Sequence, residues 1–208
     1  MNKRGFTLIE LLVVIAIIGL LASIVMVSLS GAKTKSRDAR RQADIKNIQL
    51  ALAMYYADNG MYPENIYSTS ASPAPDKGLA PTYMPVVPRD PSGSAACVSS
   101  SGTSCYKYVS YTPNASPSAT CTSSSCTAAS CTASIPPLTY HLGADMEDTS
   151  GSWTTQDIDA DTATGAYVYT GYSRCTTGVT GAVTFNGNAT DCAGTNEATP
   201  DACYDAAP

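Results

Sequence analysis

From Phe6 to Leu29 the sequence reads FTLIELLVVIAIIGLLASIVMVSL, 24 residues with a single charge, Glu10. As a helix this segment is about 36 Å long, more than the ~30 Å hydrocarbon core of a bilayer. A run this long and this apolar belongs in lipid or against other apolar helices. A cleaved secretory signal would share the basic start at Lys3 and Arg4, but its apolar stretch is normally shorter and free of acid. A plain membrane anchor leaves Glu10 without a reason, since a carboxylate is costly in hydrocarbon.

The rest of the chain divides at Asp58. Residues 1–58 carry a net charge of +4 and no cysteine, whereas residues 59–208 carry −9 and all eight cysteines, Cys97, Cys105, Cys121, Cys126, Cys131, Cys175, Cys192 and Cys203. An even cysteine count in an acidic, Ser/Thr-rich body fits an oxidising compartment, so the body is expected to be exported. The low charged fraction of 14% excludes a solvated coiled coil or a charge-driven disordered chain. One histidine, His141, rules out His-rich metal sites, and its strand-like setting suits a structural role.

Lys3-Arg4-Gly5, followed by Phe6-Thr7-Leu8-Ile9-Glu10 and the apolar run, closely resembles the class III leader of type IV pilins and type II secretion pseudopilins. The resemblance implies that a membrane peptidase cuts between Gly5 and Phe6 and methylates the new N-terminus at Phe6. It also implies that Glu10 serves assembly. Physical chemistry agrees with that role. A carboxylate in an apolar bundle needs a partner, and the Phe6 amine of a neighbouring copy is a matching charge that would fix axial register. One feature opposes this orientation. Lys33, Lys35, Arg37, Arg40 and Arg41 outnumber Lys3 and Arg4, and a positive-inside count would hold them in the cytoplasm.

Lys33 to Ala57 contains no proline, and Ile45, Ile48, Leu52 and Tyr55 recur on one helical face. Asp38 with Arg41 and Arg41 with Asp44 sit three apart, a spacing worth only tenths of a kcal/mol per pair. Asn59-Gly60 and then Pro63 end the helix. The expected helix thus runs from about Phe6 to Asp58, with Gly19 and Gly31 as points where it could bend. Asp38 to Ile45 and Tyr55-Tyr56-Ala57-Asp58-Asn59-Gly60-Met61-Tyr62-Pro63 resemble the major pseudopilin branch. So do Leu79-Ala80-Pro81-Thr82-Tyr83-Met84 and Val87-Pro88-Arg89-Asp90-Pro91.

The body predicts short strands at Tyr106 to Tyr111, Leu138 to Leu142, Ala166 to Thr170 and Val179 to Phe185, the first alternating as a half-buried strand. The expected fold is α+β: a leader at 1–5, a membrane or filament-core helix at 6–29, its amphipathic continuation at 30–58, and a head at 59–208. The head is expected to be a small antiparallel sheet packed on the helix, with disulfide-stapled loops. Ala115 to Ser134, within a low-complexity stretch of about 112–134, has 11 Ser/Thr among 20 residues and no charge, so it reads as an exposed loop. Local closure favours Cys97–Cys105 and Cys175–Cys192. Cys121, Cys126 and Cys131 lack zinc spacing. Asp157, Asp159 and Asp161 have the spacing of half a calcium loop, but the Gly and the twelfth-position Glu are missing. The resemblance implies a calcium loop in this late region. A solvated acidic loop is the other reading. Asn114 and Asn188 lie in glycosylation-like triplets.

No hydrolase, nucleotide or dinucleotide motif occurs, so the chain is expected to be neither an enzyme nor a cofactor carrier beyond calcium. By resemblance, its partners are other copies and related pilins, the prepilin peptidase, an inner-membrane assembly platform with its ATPase, and the lipid bilayer before assembly. Two filaments remain open, a surface pilus for adhesion, motility or DNA uptake and a periplasmic pseudopilus for secretion. The decorated body tips the sequence reading toward the pilus. A membrane-anchored adhesin without a filament is the rival from another class. N-terminal sequencing of the mature protein is expected to start at Phe6, whereas a start after Ala22 would indicate a secreted module.

Overall fold

The computed structural model describes residues 7–69, 74, 77–93, 97, 105–113, 120–121, 128–129, 136–148, 169–170, 172–175 and 203–208. Helix α1 (Leu8–Asn59) has 52 residues, about 78 Å at 1.5 Å per residue, and passes through Gly19 and Gly31 without interruption. It starts at Thr7, an N-cap in extended conformation, and ends at Gly60. Gly60 adopts φ 68°, a left-handed conformation that a side chain would strain, and its N–H donates to the Tyr56 carbonyl at 2.8 Å. The Asn59 amide closes the same end by donating to the Tyr55 carbonyl and the Tyr83 hydroxyl.

The first half of α1 is exposed, with a mean hydropathy of 3.0 over its most apolar stretch, and is long and apolar enough to cross a membrane. The second half carries the head. Ile45, Ile48, Leu52 and Tyr55 are all fully buried, as their spacing predicts. They pack into one core with Ile66, Leu79, Val87, Tyr106, Tyr108, Leu142, Met146 and Tyr204.

The strands are β1 (Lys107–Pro113), β2 (Thr120–Cys121), β3 (Ala128–Ala129), β4 (Thr139–Asp145), β5 (Tyr169–Thr170), β6 (Tyr172–Cys175) and β7 (Cys203–Ala206). Among the described residues the main sheet has the order β3-β6-β1-β4-β7. Its pairings are antiparallel except for the two-residue β3–β6 edge. In register, Tyr108 faces Leu142 and Val109 faces His141 across β1–β4, and Leu142 faces Ala206 across β4–β7.

Three expectations change. The strand at Tyr106 to Tyr111 is not half-buried, because Lys107 through Thr112 are all buried. It is the central strand of the sheet, flanked by β4 and β6, which a lone alternation pattern does not reveal. The Ser/Thr/Cys tract is not loop throughout. Thr120–Cys121 pairs with β5 and Ala128–Ala129 with β6, since backbone pairing needs no apolar side chain. The strand expected at Leu138 begins at Thr139 and runs to Asp145. Val179 to Phe185, residues 166–168, Asn114 and Asn188 lie outside the described residues.

The excess of 13 Tyr over 2 Phe has a structural use. The Tyr108 hydroxyl donates to the Pro63 carbonyl at 2.7 Å, and Tyr67 donates to the Pro88 carbonyl at 3.0 Å. Tyr67 also accepts from the Tyr106 N–H, and Tyr106 donates to Asp44. Each ring fills core volume; the Tyr108 and Tyr67 hydroxyls tie loop carbonyls, and the Tyr106 hydroxyl ties the start of the sheet to α1. Tyr62 and Tyr140 meet edge-on at 4.8 Å beneath the helix end. Gly78 is required for another reason, because a Cβ there would fall 2.2 Å from the Ser68 carbonyl oxygen.

The two faces of α1 should respond differently to truncation. Leu52→Ala is expected to destabilise the head by about 2–5 kcal/mol in denaturant unfolding. Leu50→Ala, at a position 63% exposed, should stay within roughly 0.5 kcal/mol.

Candidate functional site

Two places on α1 gather the groups with chemistry to offer. The first is its N-terminus. Thr7-Leu8-Ile9-Glu10 closes a capping box: the Glu10 N–H donates to the Thr7 hydroxyl, and the Glu10 carboxylate accepts from the Thr7 N–H at 2.9 Å. The Thr7 hydroxyl also donates to that carboxylate at 2.7 Å. Within a single chain Glu10 is therefore engaged by its own helix end, where the helix dipole favours an acid. Sequence reasoning named Glu10 but missed Thr7, although the T-x-x-E spacing is the signature of such a box. Gly5 and Phe6 lie outside the described residues. From Leu8 to Ile24 the large apolar side chains, including Leu11, Ile15, Ile18 and Leu21, are exposed all round the helix.

The second place is a buried ionic clamp around Arg41, whose side chain is 2% exposed. Its Nε and Nη2 donate to the two oxygens of Asp90 at 2.7 and 2.9 Å, a bidentate fork, and Nη1 donates to Asp38 at 2.6 Å. Glu147 Oε1 lies 2.9 Å from Nη2. Arg37 reaches the same Glu147 from the next helical turn, through Nε at 2.7 Å and through Nη2. Asp38 accepts in addition from the backbone N–H groups of Glu147 and Asp148. One arginine thus fastens the middle of α1 both to the Pro88–Pro91 turn and to the segment leaving β4. Asp90 holds its own turn by accepting from the Ser92 N–H.

The i,i+3 spacing alone gives the Asp38–Arg41 pair a small worth. It is buried because Asp90 and Glu147, distant in sequence, close over it. Burial would lower the Arg41 pKa, but the hydrogen bonds and charges of Asp90, then Glu147 and Asp38, more than offset this and raise it. Burial likewise pushes Asp90 up, and the hydrogen bonds from Arg41 and Ser92 hold it below the usual carboxylate value. Glu147 is lowered first by its hydrogen bond with Arg37, against a partial desolvation effect, with Arg41 adding to the lowering.

Cys97 and Cys105 are joined, the closure that their spacing favours. They stand between the Asp90 turn and β1. Cys121 stands in β2, Cys175 in β6 and Cys203 in β7, where Cys203 is also disulfide-bonded. Cys126, Cys131 and Cys192 lie outside the described residues, as do Asp157, Asp159 and Asp161. Among the described residues no three His, Cys, Asp or Glu side chains gather in a way that could hold a metal ion. His141 is fully buried in β4.

Comparison with known proteins divides the chain at the same helix. Residues 1–26 match the profile of the prokaryotic N-terminal methylation motif, and residues 28–123 match that of type II secretion system protein G. The second match contains α1 from Ser28 onward, Arg41, Asp90 and β1. A type II secretion system core protein G from Aeromonas hydrophila is 38% identical over 103 residues, 45% of this chain and 72% of that protein. The core protein G of Pectobacterium carotovorum is 37% identical over 99 residues, 44% of this chain and 64% of its own length. That of Escherichia coli K12 is 48% identical over 62 residues, 30% of this chain and 43% of the relative. No solved structure matches.

Removing the clamp should be costly and specific. Arg41→Met leaves buried carboxylates without their cation and is expected to cost about 3–5 kcal/mol in unfolding free energy. Arg41→Lys should recover little, because an ammonium cannot reproduce the planar fork on Asp90. The pH dependence has a definite sign. Asp90 and Glu147 are depressed in the fold from 3.8 and 4.5, so their contribution is complete above pH 4.5 and is lost as pH falls through the lower folded values. A melting series from pH 7 to pH 2.5 should show this acid loss, blunted in Asp90→Asn.

Proposed function

This chain belongs to the type II secretion protein G family, and from that premise we propose that it is a structural subunit of a periplasmic pseudopilus rather than of a surface pilus. The observation that carries the reading is the protein G match across residues 28–123, which spans the amphipathic half of α1, the Arg37, Asp38, Arg41 and Asp90 members of the clamp, and the first strand. It favours the pseudopilus over the surface pilus that the Ser/Thr/Cys-rich body alone suggests.

The chain would enter the inner membrane as a single-pass precursor with the head outside. Cleavage after Gly5 and methylation of Phe6 would free the α1 terminus, in keeping with the methylation motif at residues 1–26. An assembly platform and its ATPase would then lift α1 from lipid into contact with the helices of other copies. The exchange of lipid for apolar helix surface is close to neutral in hydrophobic terms, so packing and polar register decide the arrangement. Glu10 supplies the register. Its carboxylate, held by Thr7 in the single chain, would accept the Phe6 amine of a neighbour. The head would travel with the helix, and the growing filament would push exported proteins through the secretion machine. The work comes from outside the chain. Calcium at Asp157, Asp159 and Asp161 remains part of the family expectation, and a calcium titration of the head would register it as a rise in melting temperature.

A chain carrying Glu10→Ala is expected to be cut and methylated normally yet to give no filament when the secretion machine is present. Normal filaments from that variant would overturn the assembly role. Deletion of the chain should abolish secretion of the exported proteins and leave surface pili intact. Loss of surface pili with normal secretion would restore the pilus reading.

A further inference from the structure

The clamp leaves an unequal set of cations at the exit of the apolar helix. Of the five that follow the apolar run, Arg37 is bound by Glu147, Arg41 by Asp38, Asp90 and Glu147, and Arg40 lies 3.7 Å from Asp44. Lys33 and Lys35 are exposed and make no ion pair or hydrogen bond among the described residues. Their height on the helix is informative. Leu8 to Leu29 as a helix covers about 33 Å, close to the ~30 Å hydrocarbon core, and Lys33 and Lys35 follow Leu29 by about 6 and 9 Å. The headgroup layer adds roughly 5–7 Å on each side of the core, so Lys33 stands within it and Lys35 just beyond it, within reach of a lysine stem that bends back.

The helix face beneath Lys33 is shaped for an amphiphile. A shallow cleft of about 350 Å³ is lined by Met26, Leu29, Ser30, Lys33, Thr34 and Arg37. Its lower side is apolar, its middle carries two hydroxyls, and its upper side is cationic. The order matches a phospholipid lying along the helix, acyl chain low and phosphate high. Lys35 brings its charge to the same layer from another side of the helix, and a lysine stem can reach along apolar surface to do so.

We propose that Lys33 binds the phosphate headgroup of an anionic phospholipid in the outer leaflet of the inner membrane, and that Lys35, on another side of the helix, makes a second, separate contact with the same headgroup layer. The bound lipid holds the stored subunit at a fixed depth before extraction. This rests on the membrane-stored precursor described above. It also gives the otherwise unfavourable outside cations a use, since Arg37 and Arg41 serve the head, Arg40 pairs within the helix, and the two lysines serve the lipid. Extraction into the filament then requires these headgroup contacts to be released.

The full-length chain would be placed in vesicles of equal phosphatidylglycerol and phosphatidylcholine, and its insertion checked by flotation. The relative association of spin-labelled forms of the two lipids would then be measured. The wild type should prefer phosphatidylglycerol, and K33Q/K35Q should lower that preference at least about fivefold, the effect of one basic residue near an anionic surface. Head melting in the double variant should stay unchanged, because neither lysine touches the head. K3Q/R4Q, which removes the leader cations on the other side, should leave most of the preference in place. Retention of the full preference in K33Q/K35Q would overturn the proposal. So would its abolition by millimolar inorganic phosphate, which would make the site one for a free anion. A chain that fails to float with the vesicles would overturn the membrane-stored reading, and the lipid site with it.

Discussion

The head depends on one buried cation. Arg41 sits in the middle of α1, is almost wholly excluded from water, and is met by Asp38, Asp90 and Glu147. Taking such a group out of water is unfavourable, and attraction to the acids offsets this only because the geometry is good: a bidentate fork, short distances and filled acceptors. An apolar cluster of the same volume could hold the helix as strongly. It could not tell one helical position from the next. The fork on Asp90 and the Asp38 contacts to the Glu147 and Asp148 backbone fix which turn of α1 each loop meets.

That placement matters because α1 has two solvents. Its first half is apolar all round and belongs to lipid or to other helices. Its second half belongs to the core built on Ile45, Ile48, Leu52 and Tyr55. A pull on the first half reaches the head through the clamp and the aromatic layer just beyond it. Arg37 and Arg41 stand one turn apart and share Glu147, so the tie lies at the boundary between the two halves, where a load enters the head.

Local features were legible in the sequence. The helix, its buried face and its end at Gly60 follow from 3.6-residue spacing and the Asn-Gly-x-x-Pro stop, and β4 was found within a residue of its start. The Cys97–Cys105 closure followed from short separation. Long-range features were not legible. Asp38 and Arg41 read as a weak i,i+3 pair because nothing within three residues shows that Asp90 and Glu147, 49 and 106 positions from Arg41, will cover them. Asp90 stands between prolines and Glu147 in an Asp-Met-Glu-Asp run, and neither setting points to a partner on α1. The burial of both faces of β1 escaped for the same reason, because its flanking strands β4 and β6 come later in the chain. Thr7 was the one local signal overlooked, hidden inside a motif whose leader features dominate it.

The clamp as a cooperative lock, rather than a set of independent surface pairs, is the claim on which the rest turns. A double-mutant cycle of Arg41→Met and Asp90→Asn, followed by denaturant unfolding of the head, tests it most directly. The account predicts a coupling energy of about 2–3 kcal/mol between the two positions. A coupling below about 0.5 kcal/mol would mean that Arg41 and Asp90 act independently, and it would contradict a head locked to its helix through this arginine.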